Sequence, residues 1–486
     1  MSTPAVPAGT GRDAGARPAL IVAAAIAAVG AGLLAAHQPL IGLVVGALAL
    51  VTVLIRDIPL RRMAPPLVVV TAVAAIGGPK LAPPGLGEVF LFRVLIVLFA
   101  LALGAYLLVD GRLRLPTGIP RPAALLGLWF TWTALSISWA QNPVAAIRWT
   151  SFMAMMGLLA LAVAVYCAER RRAKIMLWAL LATFAFAGLI AMAEVATGMH
   201  LPTFRAGSEA KNLIGVGSLF GNQNNFATFL GLSLPYLAVL PLIYRDVRLR
   251  VIGIGGAIAC LAFILLTGSK SGLLSAGFVL VGLLILAAGD RRTRRRLFAA
   301  FGVVALAAAI VIPSLQGGGL VKLDERTVTK LNFTTLTTQI QSGTGSGAVR
   351  ATLLQDGLSL VNATNGVGVG AGNAETRVEQ LGAVQVAVPN LHNWWLEVLV
   401  NGGLVGFALY AMFYATLIRR QMVAARTGTD PLVRYMSLAG ALALIGWIVG
   451  SIGPSTAIHF APMWIVFGLS MGALALARKE APPSAS

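Results

Sequence analysis

The chain has 486 residues, of which 58% are hydrophobic and only 11% charged, with a mean hydropathy of +0.84. Soluble domains carry about a quarter charged residues, so a soluble globular protein, a disordered chain and a coiled coil are excluded. The net charge of +20 comes from 37 basic against 17 acidic residues, an excess that in a membrane protein is first a question of where it falls.

A spanning helix needs about 20 mostly apolar residues. Such runs recur over 18–36, 40–55, 66–79, 89–109, 123–140, 144–167, 174–196, 224–243, 251–268, 272–289, 297–313, 394–418, 435–453 and 459–477. The third is short and carries Gly77, Gly78 and Pro79. The first is soon followed by another span, so it reads as a retained helix and not a cleaved signal peptide. The expected fold is all-α, a polytopic integral membrane bundle of about 12–14 helices with one large extracytoplasmic loop. Its organisation reads as a cytoplasmic tail (1–17), N-terminal helices (18–196), central helices (197–313), the large loop (314–393), C-terminal helices (394–477) and a second tail (478–486). Cys167 and Cys260 lie in or beside apolar runs and read as packing residues.

Alternate loops then sort by charge. With the N-terminus inside, one face collects 26 of the 37 basic residues and a net charge of +18, while the other nets +2. That asymmetry predicts both termini on the cytoplasmic side of the membrane. The excess is thus an orientation signal, and nucleic acid is not an expected partner.

Two loops on the near-neutral face are long. One runs over 197–222 and the other over 314–391. Within the second, residues 349–361 predict a short amphipathic helix with Leu353, Leu354, Leu358 and Val361 on its apolar side. The run Gly366-Val-Gly-Val-Gly-Ala-Gly372 has neither helix nor strand periodicity and predicts a flexible or tightly turned segment.

The polar residues that could carry chemistry lie on this same face. His392 sits where the long loop meets an apolar span, followed by Trp394 and Trp395, which read as interfacial anchors. A histidine there suits general acid–base work, or a structural hydrogen bond at the interface. Arg350 opens the amphipathic helix, as a substrate ligand or as a snorkelling cation. Lys270 lies in Thr267-Gly-Ser-Lys-Ser-Gly272, held so close to hydrocarbon that it needs an anionic or polar partner. Arg205 precedes a cluster of Asn222, Asn224 and Asn225 at a helix start; capping accounts for one asparagine but not three. Asn393 completes the set. Arg93 and Arg148 interrupt apolar runs, where Glu194 and Glu397 are the available partners. Three cations around one titratable base suit a substrate bearing phosphate or diphosphate. No metal-ligand spacing is present, and no metal or other cofactor is expected.

Four segments together resemble the O-antigen ligase and O-antigen polymerase superfamily. They are Gly221-Asn-Gln-Asn-Asn-Phe-Ala227, Gly268-Ser-Lys-Ser-Gly-Leu-Leu274, the large loop from near Arg350, and His392-Asn-Trp-Trp-Leu-Glu-Val-Leu-Val-Asn-Gly-Gly-Leu-Val-Gly406. The resemblance spans roughly 200–420, while the N-terminal half matches only in hydropathy. It implies an enzyme that moves a glycan from an undecaprenyl diphosphate carrier to a lipid-linked or cell-envelope acceptor. The transfer would be inverting, metal-independent and placed at the outer face of the cytoplasmic membrane. It further implies His392 as the base that activates the acceptor hydroxyl, with Arg350 and Arg205 on the diphosphate. Lys270 stands where many members have arginine, which keeps the charge but loses the bidentate fork. Asn222, Asn224, Asn225 and Asn393 are candidate substrate contacts. Two other readings stay open, a transporter or flippase for lipid-linked sugars and a non-enzymatic scaffold. Polymerase and ligase share this chemistry and differ only in the acceptor.

Overall fold

The computed structural model describes residues 60–78, 90–110, 115–201, 216–286, 339, 341–342, 345–382, 390–454 and 457–480. The expected spans at 18–36, 40–55 and 297–313, the residue Arg205 and most of 314–344 lie outside the described residues. The chain divides into two units, one of Met1–Leu67 and Val94–Arg114, the other of Val68–Arg93 and Leu115–Ser486. The first contributes, among described residues, the start of α1 (Leu60–Gly77) and most of α2 (Leu91–Asp110). Everything below concerns the second.

Among its described residues the second unit is built of helices joined by turns, with no strand. In chain order follow α3 (Pro120–Leu135), α4 (Pro143–Cys167), α5 (Arg170–Thr197), α6 (Gln223–Ala238), α7 (Val247–Thr267) and α8 (Lys270–Leu286). Then come α9 (Gly345–Ala363), α10 (Ala374–Leu381), α11 (Trp394–Thr427), α12 (Pro431–Gly450) and α13 (Ala461–Glu480). Seven of the described helices are long and apolar enough to cross a membrane, and the protein is an all-α polytopic membrane protein. Helix starts follow local chemistry. Asn142, Asp246 and Asp430 each accept a backbone N–H of the first turn, and proline opens α3, α4 and α12, where its missing N–H costs nothing.

α13 is almost wholly buried and packs along α4, while α12 lies among α6, α8, α11 and α13. Small residues permit the close crossings. Gly468 faces the Ala160 carbonyl and Val163, and Gly472 faces Cys167; small residues at this spacing let membrane helices approach backbone to backbone. Both cysteines are free and buried, as expected. Between the helices runs an aromatic core of Trp129, Trp149, Trp394, Tyr410 and Trp464. Trp394 belongs to that core and is no interfacial anchor. It is fully buried, and its indole N–H donates to the Tyr410 hydroxyl at 2.8 Å. Hydropathy cannot separate a tryptophan facing lipid from one facing neighbours, and packing decides here.

The basic residues gather at one end of the bundle. Arg170 pairs with Asp430, Lys479 donates to the Ala168 carbonyl, and Arg420 lies beside Arg121, Arg419 and Arg478. The opposite end carries α9 and α10. α9 is longer than expected, and its buried face differs. Leu353 and Leu360 are buried, but Leu354 and Leu358 are 44% and 49% exposed. The helix is apolar on two sides, and the side that packs is the one where Gly357 allows close contact with Leu396 of α11.

The glycine run after α9 is the tightly turned alternative of the two expected. Gly366, Gly368, Gly370 and Gly372 all have positive φ. Gly366 and Gly368 dock against a break inside α11, where Gly403 leaves the helical conformation (φ 65°, ψ −168°), while Gly370 lies against Ala140 and Gly372 against Trp149 of α4. The break redistributes hydrogen bonds. The Leu404 N–H, lost to the helix, donates to the Gly366 carbonyl at 2.8 Å. The freed carbonyls of Val400 and Asn401 accept from the N–H groups of Val369 and Gly370, at 2.9 and 3.1 Å. Every such buried group needs a partner, and the loop supplies them.

Candidate active site

The site end is organised around the short turn after α12. Thr228 of α6 reaches the Gly450 carbonyl. Ser271, at the start of α8, and Thr228 both lie against Gly453, where any side chain would collide with them. The Trp394 N–H donates to the Ser451 carbonyl at 3.3 Å, and the Trp395 indole to the Ile448 carbonyl at 3.1 Å. This turn therefore draws together the N-termini of α6, α8 and α11. Those ends carry the Asn222 cluster, Lys270 and the His392 segment.

At the first, Gly221 adopts a left-handed conformation and Asn222 caps α6. Its Oδ1 accepts from the N–H groups of Asn224 and Asn225, at 2.7 and 3.4 Å. Asn225 is different, because its own Oδ1 is buried without a protein hydrogen bond. Such an atom is costly unless something satisfies it. Just upstream, Glu194 accepts from the N–H groups of Gly217 and Ser218, at 3.0 and 2.9 Å, with His200 3.5 Å away. Asn222→Ala is expected to cost about 1 kcal/mol, as cap removal does, whereas Asn222→Asp keeps the acceptor and the stability. Thermal unfolding followed by tryptophan fluorescence in detergent tests this.

At the second, Gly268 turns the chain at φ 63° and the Ser269 hydroxyl accepts the Gly272 N–H, so α7 passes into α8 with almost no loop. Lys270 is the first residue of α8, and Arg350 of α9 lies within electrostatic range of its ammonium group. The two are 80 positions apart in sequence, and the fold sets like charges together. Burial pushes the Arg350 guanidinium pKa down, the cost of holding a cation out of water. Among the described residues no carboxylate forms an ion pair with Arg350.

At the third, His392 is half-exposed and takes a left-handed backbone conformation, φ 49°. Asn393 caps α11, accepting from Trp395 and Leu396. Capping is thus its observed role. The expected pairing of Arg93 or Arg148 with Glu194 or Glu397 is not observed among the described residues. Glu194 is taken up by backbone N–H groups, and Glu397 accepts from the Trp149 indole at 3.3 Å. Arg93 stacks on Phe90 and Phe152 instead. Backbone N–H groups meet Glu194 Oε2, an indole N–H meets Glu397 and phenyl faces meet Arg93, and none of these is visible as a charge pattern.

Two cavities are of note among the described residues. A small one, with room for about one water, is lined by Trp149, Glu375, Asn390, Glu397 and Asn401. A larger apolar cleft of about 290 Å³ opens between α5, α6, α12 and α13, walled by residues such as Leu181, Phe184, Phe229 and Leu237, with Lys174 toward the arginine-rich end. Among the described residues no cluster of three His, Cys, Asp or Glu side chains could hold a metal ion.

Residues 255–411 match the family model described as O-antigen ligase. The matched stretch runs from α7 into α11 and contains Lys270, Arg350 and His392. Over that stretch the chain is similar to the O-antigen ligase family. It is 25% identical over 409 residues to the teichuronic acid biosynthesis protein TuaE of Bacillus subtilis (strain 168), an alignment covering 82% of this chain and 80% of that one. The loop and helix ends also contain groups not singled out as site candidates from the sequence, Asn373, Glu375, Asn390 and Asn401. Asn373 exchanges hydrogen bonds with the Asn142 backbone, and Asn401 accepts the Ala374 N–H at 3.0 Å. Their only sequence signal was asparagine placed beside glycine and histidine.

Proposed function

We propose that the protein transfers a glycan from an undecaprenyl diphosphate carrier to an acceptor hydroxyl at the outer face of the cytoplasmic membrane. The observation that carries this reading is the gathering of Lys270, Arg350 and the His392 segment around one turn at one end of a membrane bundle. The opposite, arginine-rich end would face the cytoplasm with both termini.

In this mechanism His392 takes the proton of the acceptor hydroxyl as that oxygen attacks the anomeric carbon. The carbon–oxygen bond to the diphosphate breaks on the other side, inverting the centre. Negative charge builds on the leaving diphosphate, and Arg350 with Lys270 stabilises it where partial burial strengthens the interaction. Arg205 would join them from the segment before α6, and the unsatisfied Asn225 Oδ1 supports a polar ligand nearby. The apolar cleft supports a lipid-bearing substrate entering from the side. The teichuronic acid relative supports a cell-envelope polysaccharide as product.

Purified protein in liposomes, given a lipid-diphosphate-linked glycan, is expected to release the lipid diphosphate only when acceptor is added. Movement of the carrier between leaflets without acceptor would overturn the reading in favour of a flippase. Arg350→Lys is expected to lower turnover about tenfold or more, since a hydrogen bond to a charged group is worth roughly 1.5–3 kcal/mol. Lys270→Arg keeps the charge and should change it less. The reverse order in the same assay would mean that Arg350 is not the main diphosphate ligand.

A further inference from the structure

His392 is one of three described non-glycine residues with positive φ, a conformation that costs about 1–3 kcal/mol and persists only where surroundings enforce it. The enforcing contacts run through a short relay. The His392 N–H donates to Asn390 Oδ1 at 2.7 Å, and Asn390 Nδ2 donates to Glu375 Oε1 at 2.9 Å. Asn390 is 1% exposed, so both ends of its amide are committed and its orientation is dictated by its partners. Glu375 lies in the first turn of α10, and that helix start is itself held by Asn401 beside the break in α11. The segment from Asn390 to His392 is therefore tied to the start of α10 through one amide.

We infer that Asn390 and Glu375 are positioning residues for His392. Glu375 orients the Asn390 amide, and Asn390 holds the His392 backbone in the left-handed conformation that aims the imidazole. The inference rests on His392 being the base. Asn390 and Glu375 touch no reacting atom. They act by removing the freedom of a loop histidine, and misplacement by even about 1 Å is costly in catalysis.

The relay makes a donor–acceptor prediction that mere packing does not. Asn390→Asp keeps the acceptor for the His392 N–H but loses the donor to Glu375. It also adds a third carboxylate to the small cavity already lined by Glu375 and Glu397. Transfer turnover is expected to fall about tenfold or more, as for loss of a buried charged hydrogen bond, with the KM for the lipid donor within about twofold. Glu375→Gln alone still offers an acceptor and should stay near wild type. Asn390→Asp combined with Glu375→Gln reverses the bond, because the introduced amide donates to the introduced carboxylate, and turnover is expected to recover to within about threefold. Asn390→Asp combined with Glu375→Ala relieves the charge without restoring a donor, and should stay low.

The four variants and His392→Ala are compared by reconstituted transfer, each checked for monodispersity. Turnover within twofold of wild type for Asn390→Asp, or equal recovery by glutamine and alanine at 375, overturns the inference. If Asn390→Asp alone is not monodisperse, recovery in the glutamine double variant supports the relay and its failure overturns it. An active His392→Ala would overturn the base assignment; an inactive one beside a fully active Asn390→Asp would overturn only the positioning role.

Discussion

Replacing His392 with alanine is expected to abolish glycan transfer while the protein still inserts and folds. A positioned general base contributes about 10²–10⁴-fold, and the other described titratable group at this loop-to-helix junction, Glu397, is buried against the Trp149 indole. The structural cost is small because the side chain is half-exposed and makes no part of the aromatic core. The backbone matters more than the side chain for stability, since position 392 sits at φ 49°. Asparagine tolerates that region better than alanine does, so His392→Asn is the cleaner deletion of the base, and the two variants should agree in activity. Both are measured as release of lipid diphosphate with acceptor present, beside the thermal midpoint. Near-normal yield or polymer length from either variant would remove His392 from the mechanism.

Much of this architecture could be read in advance because membrane helices announce themselves by hydropathy, and the described helices fall close to the runs expected. The Asn222 cap follows from residue type at a helix start, and the cations at 270 and 350 stood out because polar residues beside hydrocarbon are expensive. What could not be read depends on neighbours distant in sequence. α9 has apolar residues on two sides, and only the approach of Leu396 to Gly357 decides that Leu353 and Leu360 are buried and Leu354 and Leu358 are not. Glu397 looked like a partner for an arginine because charge is visible in a sequence and the Trp149 indole that meets it is not. The break at Gly403 is invisible to hydropathy, since the apolar run continues through it. Its partner, the glycine run, has no periodicity from which docking could be inferred.

That break carries the second large expected effect. Gly403→Ala should disable the enzyme, and Gly402→Ala, one residue away, should not. At Gly403 a Cβ would be driven against the carbonyl oxygens of Val367 and Gly366, which are backbone and cannot swing aside. The conformation itself, φ 65° and ψ −168°, is one that essentially only glycine adopts. Either alanine forces the α11 backbone to straighten or the glycine run is expelled from it. Expulsion strips the Leu404 N–H and the Val400 and Asn401 carbonyls of their partners, and straightening strips the Val369 and Gly370 N–H groups and the Gly366 carbonyl of theirs, at roughly 1–3 kcal/mol for each unsatisfied group. At Gly402 the nearest atom to a new Cβ is Trp132 Cδ1 at 4.0 Å, an ordinary contact, and alanine in a helix is favoured over glycine by up to about 1 kcal/mol. The site feels the break through Asn401, which holds the start of α10 and so the position of Glu375. The other six spanning helices do not contain the break, so insertion and the monodisperse fold should survive in Gly403→Ala while transfer falls further than the thermal midpoint implies. A Gly403→Ala protein with wild-type turnover would mean that the docked loop is not required to build the site.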